Sequence, residues 1–175
     1  VGLPAGRAPR TLRLRVAAEE WAFTDAVQGR FAQHLGREVG DFILRRADGL
    51  YAYQLAVVVD DAAQGVTHVV RGADLLDSTP RQLYLQHALG LSAPAYLHFP
   101  VATNPAGTKL SKQNRAPALP KDDPVPHLLR AWSCLGQPGP ETGRPLSLAA
   151  FWEWARAVWD PARIPVSSRV LAGEA

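Results

Sequence analysis

From position 11 to 16 the order Thr-Leu-Arg-Leu-Arg-Val alternates apolar and basic side chains. A period of two is the pattern of a strand with one wet face. Positions 20–24 and 39–45 read as two further strands, the second containing Phe42-Ile43-Leu44 and running into Asp48-Gly49, a turn dipeptide. Between them, positions 26–35 fit a short helix or an irregular excursion equally well. After the turn, residues 51–63 mix Tyr with Ala, Leu and Val and end in Asp60-Asp61, with Gly65 as a helix stop. The β-branched run at 66–70 predicts a buried strand. Ser78 or Thr79 then stands ready to cap a helix, Pro80 fits its first position, Leu83, Ala88 and Leu89 supply its apolar face, and Gly90 closes it. A buried strand at 96–99 follows and ends at Pro100.

Strand, helix and strand within about 35 residues form a βαβ unit, in which the two strands lie parallel and the crossover is right-handed. Sheets of this kind bind ligands beyond the carboxyl ends of their strands. Arg71 and Pro100 mark those ends, so chemistry is expected just after them. Past Pro120 the chain is rich in Pro and Gly, with helices predicted at 127–135 and 147–159. Phe151, Trp152, Trp154 and Trp159 predict that the second helix anchors an aromatic side on a neighbour.

The chain has 175 residues and 47% hydrophobic side chains, which suits one globular core. Its longest apolar runs, such as 55–59, are far shorter than the roughly twenty residues a bilayer requires, so no membrane association is expected. Position 1 is Val, no methionine occurs anywhere, and no secretory pattern opens the sequence. A cytoplasmic monomer, present here as part of a longer protein, is the expectation. Cys134 is the single cysteine, which leaves no internal disulfide and no multi-cysteine metal site. His34, His68, His87, His98 and His127 are scattered without ligand spacing and read as structural or surface residues. Asp60-Asp61 reads as a solvated pair at a helix end.

Charge is unevenly spread. Lys plus Arg minus Asp plus Glu gives 8 − 5 = +3 for residues 1–46, 2 − 5 = −3 for 47–100 and 9 − 6 = +3 for 101–175. Two basic flanks suit a polyanion such as RNA or a nucleotide, although a solvated surface explains the same pattern.

Gly107-Thr108-Lys109-Leu110-Ser111-Lys112-Gln113-Asn114 follows the strand that ends at Pro100. Two lysines three residues apart predict a mobile cationic loop able to close over a polyphosphate and neutralise charge at a reacting phosphoryl centre. The Gly-Lys-Ser/Thr order of a Walker loop is missing. Lys109-Leu110-Ser111-Lys112-Gln113 resembles the KMSKS motif of class I aminoacyl-tRNA synthetases, in the KLSK form of the glutamyl group. Asp48-Gly49-Leu50-Tyr51-Ala52-Tyr53-Gln54-Leu55-Ala56-Val57-Val58-Val59-Asp60-Asp61 is similar to that group's block before the βαβ unit. Thr67-His68-Val69-Val70-Arg71-Gly72-Ala73-Asp74-Leu75-Leu76-Asp77-Ser78-Thr79-Pro80 is similar to the block after it, and Tyr96-Leu97-His98-Phe99-Pro100 stands where the group places its approach to the loop. The resemblance covers residues 11–116 well and the tail loosely. The Gln113-Asn114 ending, with 62 residues after Gln113, is similar to the short paralogues that transfer glutamate to queuosine in the anticodon of tRNA(Asp), the glutamyl-Q tRNA(Asp) synthetases.

The resemblance implies an α/β fold, namely the second half of a Rossmann-like parallel sheet flanked by strands of an inserted acceptor-binding region and by C-terminal helices. It divides the chain into 1–46 (the end of that inserted region), 47–124 (the catalytic half-domain with the KLSKQ loop) and 125–175 (the helical segment). It implies roles as well. Tyr53 and Arg71 contact L-glutamate, for which a phenolic donor and a planar guanidinium fork are suited. Lys112 is the catalytic lysine on ATP, with Lys109, Leu110, Ser111 and Gln113 completing the ATP-binding loop. The implied partners are ATP with Mg2+, L-glutamate and tRNA(Asp) carrying queuosine. The group's HIGH-like motif, its acidic contact to the substrate amino group and its zinc ligands have no counterpart in these residues, so the chain alone is expected to be inactive. Two other readings stand beside this one: a truncated glutamyl-tRNA synthetase charging tRNA(Glu), and a non-catalytic tRNA-binding module.

Overall fold

The computed structural model describes residues 10–119, 123–140 and 147–172. Its backbone divides into two compact units. One comprises Val1–Asp25, Arg30–Val69 and Leu75–Tyr96, the other Ala26–Gly29, Val70–Asp74 and Leu97–Ala175.

The first unit opens with β1 (Leu12–Leu14), β2 (Glu20–Asp25) and β3 (Gly29–His34), followed by one helical turn, α1 (Leu35–Glu38), and by β4 (Phe42–Arg45). β1 pairs antiparallel with β4, Leu14 opposite Phe42 and Arg13 opposite Ile43, with the register shifting between Leu12 and Arg13. β2 and β3 form their own two-stranded sheet. The stretch 26–35, which the pattern left between helix and irregular chain, is therefore mostly strand. Gly29, with φ of 73°, allows the turn that starts it, and Phe31 meets Phe23 on β2 with ring centroids 5.9 Å apart. Cross-strand ring packing of this kind has no signature in the spacing of a single strand.

Helices α2 (Tyr53–Ala63) and α3 (Thr79–Leu89) pack on this framework. Phe42, Val58 and Leu85 are buried at its centre, surrounded by Leu14, Leu44, Leu55, Val57, Tyr84 and Leu91. Two expectations for α3 are corrected. A 3-10 turn over Ala73–Ser78 leads directly into the helix, so Ser78 has helical backbone angles and caps nothing; its hydroxyl accepts from Arg81 Nη2 at 3.2 Å instead. The buried face consists of Thr79, Pro80, Gln82, Leu85 and Gln86, while Leu89 is exposed. Both glutamines have an amide donor satisfied: Gln82 Nε2 donates to Gln54 Oε1 at 2.9 Å and Gln86 Nε2 to the Tyr96 hydroxyl at 3.3 Å, while Gln86 Oε1 is buried without a partner among the described residues. Gly90 ends the helix in the left-handed conformation, as expected.

β5 (His68–Gly72) and β6 (Ala95–Phe99) lie on either side of α3 in sequence and pair with each other. β5 starts two residues later than the apolar run suggested, and Val70 is exposed.

In the second unit β7 (Val101–Thr103) pairs in parallel with β8 (Arg169–Leu171), Ala102 opposite Val170. Two helices, α4 (Val125–Cys134) and α5 (Leu148–Val158), share a second core of Trp132, Phe151 and Ala155. α5 is capped by Ser147, whose Oγ accepts from Ala150 N at 3.2 Å. The aromatic expectation holds for Phe151 and Trp154, which lie against Trp132. It fails for Trp152, 47% exposed, since a helix of this length turns neighbouring positions about 100° apart. Among the described residues, no helix is long and apolar enough to cross a membrane.

Candidate active site

Arg71 is the fourth residue of β5 and His98 the fourth of β6, and the pairing of the two strands brings these side chains together. Arg71 Nε donates to His98 Nε2 at 2.9 Å. A ring nitrogen that accepts a hydrogen bond carries no proton, so His98 holds its proton on Nδ1 and is neutral. The imidazole is 0% exposed. Its backbone is fixed from the other side by Gln28, whose Nε2 donates to His98 O at 2.9 Å and to Ser167 O at 3.1 Å. Arg71 itself is half-buried. A guanidinium with its Nε committed to a rigid ring loses rotamer freedom, which favours a fixed direction for the planar fork.

The KLSKQ loop has more internal structure than a mobile polar turn. Asn104 N donates to Thr108 O, Thr108 N to Asn104 Oδ1 and Leu110 N to Ala102 O, each at 2.9 Å, while Thr103 and Lys109 form an antiparallel bridge. Gly107, with φ of 74°, makes the bend possible. Lys112–Asn114 then form a 3-10 turn closed by Arg115 in the left-handed region. Asn114 Nδ2 donates back to Lys109 O at 2.9 Å. Backbone and side-chain hydrogen bonds hold the loop against β7.

The two lysines differ. Lys109 Nζ is 2.5 Å from Asp74 Oδ2. Lys112 is exposed and has no ion pair among the described residues. Gln113 is exposed as well, Leu110 is exposed and Ser111 half-buried. This unit thus holds two pairs, Arg71 on β5 with His98 on β6, and Asp74 just after β5 with Lys109 in the loop after β7. Tyr53 belongs to the other unit, where it is the first residue of α2 and 51% exposed. Sequence reasoning read His98 as a structural or surface residue and did not single out Asp74. Their signal was positional: His98 matches Arg71 in strand position, and Asp74 lies three residues past it, at the end where such sheets bind ligands.

No group of three His, Cys, Asp or Glu side chains capable of holding a metal ion occurs among the described residues.

Residues 5–123 match the family model described as tRNA synthetases class I (E and Q), catalytic domain. Among curated proteins, the chain is 60% identical over 154 residues to a glutamyl-Q tRNA(Asp) synthetase of Pseudomonas fluorescens, covering 88% of this chain and 52% of that protein. It is 58% identical over 170 residues to another of that name from Dechloromonas aromatica, covering 97% and 56%. The chain thus spans about half the length of the curated relatives it matches. Among solved structures, it superposes on a glutamate-tRNA synthetase from Elizabethkingia anophelis with a TM-score of 0.64 at 21% identity, over 89% of this chain and 35% of that one. For a glutamate tRNA ligase from Elizabethkingia meningosepticum the values are 0.67, 20%, 92% and 36%. The α/β fold expected from sequence is the fold found.

Proposed function

Since the chain belongs to the class I tRNA synthetase family for E and Q, matched over its catalytic domain, we propose that it forms the loop-bearing part of an enzyme that activates L-glutamate with ATP and transfers it to queuosine in tRNA(Asp). The observation that carries this reading is the pairing, within one compact unit, of a ring-fixed arginine at the end of β5 with a two-lysine loop just beyond β7. The names of relatives that are 58–60% identical to the chain over the matched segments support the choice of acceptor.

In this reading Arg71 receives a carboxylate of glutamate in its fork and Tyr53 contributes a phenolic donor. One carboxylate oxygen of glutamate attacks the α-phosphorus of ATP, the bond to the β,γ-phosphates breaks, and pyrophosphate leaves. Negative charge grows on the departing phosphates. Lys112, exposed and without an ion pair among the described residues, is the group that meets it, and Lys109 assists. Leu110, Ser111 and Gln113 shape the loop around the nucleotide. Mg2+ would be held mainly through phosphate oxygens and water, with few protein ligands. A hydroxyl of queuosine then attacks the activated carbonyl, and AMP departs. By itself, the chain holds only part of this machinery and is inactive.

The test is the acceptor. A full-length protein containing this segment, supplied with ATP and labelled glutamate, is expected to label tRNA(Asp) that carries queuosine and to leave both tRNA(Glu) and queuosine-free tRNA(Asp) unlabelled. Labelling of tRNA(Glu) would replace this reading with that of a glutamyl-tRNA synthetase. Binding of tRNA with no activation of glutamate would replace it with a non-catalytic module.

A further inference from the structure

We infer that Asp74 is a positioning residue for the KLSKQ loop: its carboxylate holds Lys109 and parks the loop, so that a polyphosphate must take that lysine from Asp74. This goes beyond the proposed function and rests on it only for the identity of the competing anion.

Three observations converge. The first is the ion pair itself, Lys109 Nζ to Asp74 Oδ2 at 2.5 Å, which ties the loop after β7 to the segment after β5. The second is Gly72. A Cβ built there would lie 2.5 Å from Asp74 Oδ1 and 3.1 Å from Val101 Cγ1. Gly72 has no positive φ, so its backbone would accept alanine, and what the glycine supplies is room for Asp74 to fold back toward Lys109. The third is the asymmetry of the loop. Asn114 Nδ2 seizes the carbonyl of Lys109, Arg169 Nη1 that of Gly107 at 3.2 Å, and the Lys109 side chain is occupied by Asp74. The Lys112 carbonyl accepts from Arg115 N at 3.2 Å, but the Lys112 side chain has no ion pair among the described residues. One lysine therefore holds the loop while the other is presented to solvent.

Magnitude decides what to expect. The two side chains are 44% and 38% exposed, so water and salt screen the pair and it contributes modestly. A weak latch is what a loop that must rearrange needs, because a phosphate carrying several charges can then displace a single carboxylate.

Amide hydrogen exchange across residues 107–114, measured on the 175-residue chain, tests the latch without requiring catalysis. Asp74→Asn is expected to speed exchange of the Leu110 amide about two- to threefold at low salt. Gly72→Ala should do the same by crowding the carboxylate. Lys109→Gln should match Asp74→Asn, and the double variant should add nothing further, the sign that both changes remove one interaction. Raising the salt concentration should bring wild type toward the variants. Exchange in Asp74→Asn equal to wild type at low salt would overturn the proposal, as would fully additive effects in the double variant. Inorganic tripolyphosphate separates this idea from the functional reading. If the anion accelerates exchange in wild type and binds Asp74→Asn more tightly, both stand. If it binds neither protein while the variants still differ in exchange, the latch stands and the polyphosphate reading of the loop fails.

Discussion

Arg71 is held by the buried imidazole of His98, whose Nε2 accepts from the guanidinium. His98 is buried and its Nε2 lone pair is occupied by Arg71 Nε, so proton and guanidinium compete for one nitrogen. Replacing His98 with Leu removes the acceptor and leaves a half-buried donor facing an apolar group. A loss of about 1–3 kcal/mol in unfolding free energy is expected, measured by urea denaturation, with Gln, which also offers an acceptor, recovering part of it. In the proposed reaction Arg71→Lys keeps the charge and loses the fork. The KM for glutamate in a full-length protein containing this segment is expected to rise about tenfold or more, because a hydrogen bond to a charged group contributes about 1.5–3 kcal/mol. The chemical type of Arg71 was legible from sequence, but its partner was not: His98 lies 27 positions away, and only strand pairing makes the two neighbours. Asp74 was hidden for a related reason, since an acidic residue in a helix-leading segment ordinarily reads as a solvated charge.

At the level of elements, local chemistry was legible wherever backbone preferences act alone. Gly90 stops α3 as its position after Leu89 predicted; Ser147, read as the first residue of a helix, proves to be its cap, and Gly107 turns the loop. The strand β3 and the buried face of α3 were not legible, because Phe31 answers to Phe23 and Gln82 to Gln54, partners that periodicity cannot supply. The end of α4 depends on such long-range fits. Gly136 has φ of 70° and the carbonyl of Arg163 occupies the place a Cβ would take. The next residue, Gln137, donates to Asp160 O at 2.8 Å and accepts from Asp160 N at 3.1 Å. Gly136→Ala is expected to cost about 2 kcal/mol or more, and Phe151→Ala about 3–5 kcal/mol from the cavity between α4 and α5. Ser147→Ala, which removes only a cap, should cost about 1 kcal/mol. Thermal denaturation followed by circular dichroism would rank the three.

For the whole molecule, two compact units each carry part of the assignment. One presents Tyr53 at the start of α2. The other presents Arg71, the Asp74 to Lys109 pair and Lys112. The family was readable because its motifs are short, ordered and rich in side chains that phosphate and carboxylate chemistry demands. The acceptor was suggested by the loop's Gln113-Asn114 ending, by the 62 residues after Gln113 and by what resembles them, since no residue type announces a modified nucleoside. The measurement that bears most directly on the account is ATP–pyrophosphate exchange by a full-length protein containing this segment, with and without Lys112→Ala. The account predicts glutamate-dependent exchange that falls by about two orders of magnitude in the variant, with little change in glutamate affinity. Exchange that proceeds undiminished without the Lys112 ammonium would contradict it.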